Sequence, residues 1–154
     1  SKRVKSLSMK IVYFGPNKKN LKYKYFKNLK DMASVIDVMV ITCIGGRETK
    51  DLINKSILKL MKPSSIIVNV SRGSVINEVH LLDALNKNLI SGAALDVFEM
   101  EPKINNKFLK LKNVLLSPHN GSATFETREE MANISSQNLL NLLYLNKIRN
   151  KVRY

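Results

Sequence analysis

The sequence predicts an α/β protein built on a doubly wound parallel sheet, and three observations carry that expectation. Short apolar, β-rich runs recur along the chain, helix-periodic segments separate them, and most runs end in Gly, Pro, Asn or Ser. Such alternation implies right-handed crossovers and a parallel sheet covered on both faces. With 154 residues, 44% of them hydrophobic, the chain is long enough for one domain with a real core.

The elements follow in order. "MKIVYF" (9–14) reads as a strand ending at the turn Gly15-Pro16-Asn17. "NLKDMASV" (28–35) reads as a helix with Asn28 as N-cap, and "DVMVITC" (37–43) as a buried strand closed by Gly45-Gly46. "INKSILKLMK" (53–62) is amphipathic and stops at Pro63, after which "SIIVNV" (65–70) is again a buried strand. Asn77 caps a helix with Glu78 in its first turn and Leu81, Leu82 and Leu85 on its apolar face, running to about Lys87. "SGAALDV" (91–97) and "NVLLS" (113–117) are further strands, and 124–145 is a long final helix.

Ligands of such sheets sit beyond the carboxyl ends of the strands. The residues that emerge there are Gly15 to Lys18, Cys43 to Gly46, Ser71 to Gly73, Asp96 with the following "VFEMEP", and Pro118 to Ser122. An arginine (Arg72), an acidic cluster (Asp96 to Glu101) and a histidine (His119) thus each follow a predicted strand. Taken singly, each is an ordinary surface charge or an incidental turn residue. Their common location makes them a candidate site.

A formal charge of +14 invites a nucleic-acid reading. The lysines, however, are scattered, and abundant Asn and Ile beside them point to compositional bias. No zinc spacing, RNA-binding aromatic signature or helix-turn-helix pattern accompanies the charge, so nucleic acid is not the expected partner. The single Cys43 allows no disulfide within the chain and fits a reducing, cytoplasmic compartment. No apolar run has membrane-spanning length, and "SKRVKSLSMK" lacks the apolar stretch of a signal peptide.

"IIVNVSRGSVINEVHLLDAL", "GAALDVFEMEP" and "LKNVLLSPHNGSAT", in this order, resemble the cofactor-binding domain of the D-isomer-specific 2-hydroxyacid dehydrogenases, in particular their glyoxylate and hydroxypyruvate reductase branch. The resemblance runs from the first residues to about Lys147. It implies a Rossmann-type sheet and hydride transfer between a nicotinamide and a small 2-oxo acid. Arg72, in "VSRG", matches the arginine that grips the substrate carboxylate and oxo group, a bidentate task suited to a planar guanidinium. His119, in "SPHNGSAT", matches the acid/base, whose imidazole titrates near neutrality. Glu101, in "EMEP", matches the carboxylate that orients that histidine.

The resemblance also implies cofactor contacts. Asp96 matches the family carboxylate beside the nicotinamide, Val70 and Gly121 match backbone-level contacts there, and Cys43 and Ile44 follow a strand lining the cofactor. Where NAD-preferring members hold the adenosine ribose with aspartate, this chain has Gly15, Pro16, Asn17, Lys18 and Lys19. Lysine attracts the 2′-phosphate that aspartate would repel, so NADP is favoured over NAD. His80 has no matching role, and Asn120 stands where the family usually has an apolar residue.

One motif is not found: no G-x-G-x-x-G occurs in the sequence. "SKRVKSLSMK" resembles the end of the family's first helix, which places the first strand and the phosphate-binding turn upstream of Ser1. The expectation is therefore an incomplete Rossmann sheet: the C-terminal part of a longer dehydrogenase, inactive by itself and homodimeric in full-length form. Its divisions are a partial NAD(P)-binding domain (1–123), a helix that packs on the substrate domain (124–147) and a tail (148–154). The alternatives are a non-enzymatic fragment, a corepressor-like binding protein on the same scaffold, or a basic nucleic-acid-binding domain.

Overall fold

The computed structural model describes Val4 and residues 6–145. The expected tail, 148–154, and most of the first five residues, part of the segment read as a helix end, lie outside them. The chain forms two compact units, Ser1–Pro118 and His119–Tyr154.

In the first unit the strands are β1 (Val12–Phe14), β2 (Lys24–Phe26), β3 (Val38–Ile41), β4 (Ile66–Asn69), β5 (Gly92–Leu95) and β6 (Val114–Leu116). Helix α1 (Leu29–Ala33) precedes β3, α2 (Lys55–Leu58) precedes β4 and α3 (Glu78–Asn86) precedes β5. All pairings are parallel, as the alternating pattern requires. The strands nevertheless form two sheets instead of one, β1-β2 and β3-β4-β5-β6, because no strand among the described residues joins β1 to β3. Strand β2 is not announced by the apolar pattern. "KYF" opens with lysine, and the aromatic pair Tyr13–Tyr25, with ring centroids 5.2 Å apart, ties it to β1.

Register sorts the larger sheet into two faces. Met39, Ile67 and Ala93 lie in one row and Ile41, Asn69 and Leu95 in the next, all buried in the core with Leu29, Ala33, Ile57, Leu58, Leu81 and Leu85 of the helices. Burying an aliphatic side chain of this size contributes roughly 1.5–3 kcal/mol. On the opposite face run Val40, Val68, Ala94 and Leu115, and here the expectation of two covered faces fails: Val40 and Leu115 are exposed. A parallel strand is apolar on both faces because both are normally covered. In the described residues only one is.

Polar side chains set the helix ends. Asn28, Asn54 and Asn77 each accept a hydrogen bond from a backbone N–H in the first turn that follows. Helix α2 is shorter than its 53–62 pattern. Ile53 bridges to Ile76 instead of entering the helix, and after Leu58 the chain tightens into three-residue turns (Leu60 N to Ile57 O 3.0 Å, Met61 N to Leu58 O 3.3 Å) before Pro63. At the end of α3, Asn88 takes a left-handed φ of 51° and Asn86 Nδ2 donates to Leu82 O at 2.8 Å. Lys87, hydrogen-bonded to Asp83 at 2.6 Å, holds that exposed carboxyl below its ordinary range.

The second unit is dominated by α4 (Phe125–Leu145), none of whose residues is buried. Met131, Ile134, Leu139, Leu140, Leu142, Leu143 and Leu145 are all exposed. No helix among the described residues is long and apolar enough to cross a membrane. Bare apolar surface on both β3–β6 and α4 favours association in water. Prepared as these 154 residues alone, the chain should sediment as concentration-dependent oligomers; a monodisperse, cooperatively unfolding monomer would contradict that expectation.

Candidate active site

The carboxyl ends of β3, β4 and β5 carry three turns, and each is fixed by polar groups or by the absence of a side chain. Asn69, the last residue of β4, is buried: its Oδ1 accepts from Ser71 N at 3.1 Å and its Nδ2 donates to Arg72 O at 3.0 Å. One amide thereby closes the whole turn that carries Arg72. Ser71 Oγ donates to Cys43 O in a short hydrogen bond, which joins this turn to the one after β3. Arg72 Nη1 donates to Ser71 O at 2.7 Å.

Two glycines decide how closely the turns approach. A Cβ on Gly45 would lie 2.5 Å from Arg72 Cγ and 2.9 Å from Arg72 Cβ, so the stem of the arginine occupies the space a side chain would need. A Cβ on Gly73 would lie 1.9 Å from Phe98 C and 2.2 Å from Glu99 N. Only glycine allows the Arg72 turn to rest directly on the backbone of the third turn.

That third turn follows β5. Asp96 is buried and accepts from Ser117 Oγ at 2.5 Å, while its backbone N–H donates to Asn69 O at 3.0 Å. Glu101 is exposed and folds back so that Oε1 accepts from Phe98 N at 2.8 Å. Arg72, Cys43, Asp96 and Glu101 thus sit on interlocked turns of one unit. Ile44 and Val70, at the ends of β3 and β4, are exposed at 89% and 50%.

Beyond β1, Tyr25 Oη donates to Gly15 O at 3.0 Å, and Tyr13 Oη both donates to Lys19 O and accepts from Lys19 N at 2.9 Å. These tyrosines hold the turn that presents Pro16, Asn17 and Lys18 to solvent. Among the described residues nothing lies within 4 Å of the Cβ position of Gly15. His119 and Gly121 belong to the second unit, in the exposed turn before α4, where Ala123 N donates to Asn120 O at 3.0 Å. His119 takes a left-handed φ of 53°, uncommon outside glycine. His80 lies half-buried on α3, its Nδ1 sealed without a hydrogen-bond partner among the described residues.

Comparison with known proteins decides what this arrangement belongs to. Residues 1–121 match the model of the D-isomer specific 2-hydroxyacid dehydrogenase NAD binding domain. The chain belongs to that family. Glyoxylate reductase of Pyrococcus furiosus is 40% identical over 144 residues, and 2-ketogluconate reductase of Gluconobacter oxydans 38% over 141; each match takes in 91% of this chain. Among solved structures, the NADPH-dependent glyoxylate/hydroxypyruvate reductase of Sinorhizobium meliloti in complex with NADP and malonate superposes with a TM-score of 0.96 at 31% identity, covering 98% of the chain. The chain spans less than half the length of these relatives: 43%, 46% and 48%. The two expectations drawn from motif order, membership of this family and a Rossmann-type α/β fold, hold.

Sequence reasoning missed the residues that shape the site. Asn69 was visible as an amide interrupting the apolar run "IIVNV", and Gly73 as the glycine directly after the arginine. Tyr13, Tyr25 and Ser117 carried no such signal. Asn69→Ala should lower unfolding stability by about 1–3 kcal/mol, since it strands the buried Ser71 N–H and removes the donor to the part-buried Arg72 carbonyl. Urea denaturation checks this, and a loss within experimental error would remove Asn69 from its bracing role.

Proposed function

We propose that the protein carrying this chain is a cytoplasmic reductase that transfers hydride between NADPH and a small 2-oxo acid such as glyoxylate or hydroxypyruvate. The observation that carries the reading is the direct packing of Gly73 on the Phe98–Glu99 peptide, which joins the turns of Arg72 and Glu101 at the carboxyl end of a parallel sheet. The names of the relatives, glyoxylate reductase and 2-ketogluconate reductase, support the substrate class.

Reduced nicotinamide, when bound, supplies the hydride that the carbonyl carbon accepts. By the family resemblance, Asp96 would lie beside the nicotinamide with Val70 and Gly121 as backbone-level contacts, and Cys43 and Ile44 would line the cofactor at the end of β3. The Arg72 guanidinium pairs with the substrate carboxylate and polarises the adjoining oxo group through parallel N–H donors. The resemblance to the family gives His119 the proton that the reduced oxygen takes up and gives Glu101 the task of orienting that imidazole. In the reverse direction His119 recovers the proton from the hydroxyl.

His119→Asn in the whole protein should lower kcat by about 10²–10⁴-fold while leaving cofactor affinity intact, which steady-state kinetics and a cofactor titration check together. Arg72→Ala should raise KM for the oxo acid and lower kcat. If both variants keep near-normal turnover, the assignment of these residues is wrong.

NADPH is the proposed reductant because the turn Gly15–Lys18 and Lys19 present lysine with no carboxylate. The fit is electrostatic, between an ammonium group and a 2′-phosphate. We expect kcat/KM with NADPH to exceed that with NADH by roughly tenfold, about 1.4 kcal/mol. Replacing Lys18 and Lys19 together by Ala should narrow the ratio. Equal use of both cofactors by the unaltered protein would refute the preference.

A further inference from the structure

We infer that Glu78 is a positioning residue for Glu101, acting through the Phe98–Glu99 peptide; this rests on the reductase reading above and extends it to a side chain that touches neither substrate nor cofactor. Glu78 is the first residue of α3 and is half-buried. Its neighbour Asn77 already caps the helix, accepting from His80 N at 3.0 Å. Glu78 Oε1 instead reaches across 21 residues of chain and accepts from Glu99 N at 2.8 Å.

That hydrogen bond falls on the peptide that Gly73 abuts. Backbone contact holds the peptide on one side, because no Cβ fits between Gly73 and Phe98 C, and the Glu78 carboxylate holds its N–H. The preceding N–H, of Phe98, donates to Glu101 Oε1 at 2.8 Å. Two consecutive amides thus each take one carboxylate, Glu101 on the first and Glu78 on the second. A charge-assisted hydrogen bond of this kind is about twice as strong as a neutral one. Removing it loosens the peptide from which Glu101 is aimed, and a misplacement of about 1 Å at a reacting centre can cost up to 10²-fold in rate.

A purely structural role would have Glu78 serve α3 through the helix dipole, which rewards negative charge in the first turn whatever its reach. Two variants separate the roles. Glu78→Asp keeps the charge and shortens the side chain by one methylene; Glu78→Gln removes the charge and keeps Oε1 as an acceptor. In the whole protein we expect Glu78→Asp to lower kcat with a 2-oxo acid by about tenfold, with KM for the cofactor unchanged and melting temperature nearly so. Glu78→Gln should restore most of that turnover.

Amide hydrogen exchange supplies a readout that needs no activity. Exchange at Glu99 and at Phe98, whose N–H reports on Glu101, should quicken in Glu78→Asp and not in Glu78→Gln, with the amides of β5 unaffected. Wild-type turnover and unchanged exchange in Glu78→Asp would overturn the inference. So would Glu78→Gln losing turnover while Glu78→Asp keeps it, since charge in the first turn would then be what matters. If the unaltered protein reduces no 2-oxo acid, it is the reductase reading that fails. Exchange at Phe98 and Glu99 then still decides whether Glu78 fixes Glu101.

Discussion

The Phe98–Glu99 peptide is the surface on which the site is assembled, and the constraint that puts it there is steric. Gly73 meets it so closely that a methyl group would sit 1.9 Å from a carbonyl carbon. Backbone cannot swing aside as the tip of a side chain can. The distance between the Arg72 turn and the Glu101 turn is therefore set by van der Waals contact of backbone on backbone, and hydrogen bonds only finish the alignment. Asn69 and Ser71 hold the arginine turn from the β3 and β4 side, and Glu78 holds the acidic turn from α3. The turns after β3 and β5 and the first residue of α3 thereby each contribute one fixed point.

The sheet that carries these turns has unequal faces. One is packed by α1, α2 and α3 around Ile67, and the other leaves Val40 and Leu115 in water. Composition alone does not show this asymmetry, because β3 and β4 are apolar on both faces. It does explain why the site can be well ordered while much apolar surface is bare. The braces of the site run to the covered face and to β5, where burial supplies the stability.

Much of the fold was legible in the sequence. Apolar runs with turn residues behind them located β3, β4, β5 and β6, and the caps Asn28 and Asn77 marked helix starts because each offers a side-chain acceptor to an unpaired N–H, whereas the cap Asn54 was not read. Strand β2 was not legible. Its identity depends on pairing with β1 and on Tyr25 reaching Gly15 O, which are contacts and not patterns. Helix α2 was over-read because amphipathic spacing continues through Leu60 and Met61 although the backbone there has already tightened toward Pro63. Motif order singled out Arg72, Glu101 and His119 as the proposed site residues, because their chemistry is unusual for turn residues. Asn69, Gly73 and Glu78 stayed hidden, because what they do is defined by a partner far along the chain.

The division between these two groups has a physical basis. Arg72, Glu101 and His119 are all exposed, and long charged side chains such as Arg and Glu lose up to roughly 2 kcal/mol of rotamer freedom each when they are fixed. Sites that bury such groups fix them by packing. Here the turns are fixed first, so that only the side-chain torsions remain to be ordered when substrate arrives. Within the first unit, this construction keeps Arg72 and Glu101 exposed on turns whose backbones are already in contact. The backbone braces are then as much a part of its chemistry as the groups they carry.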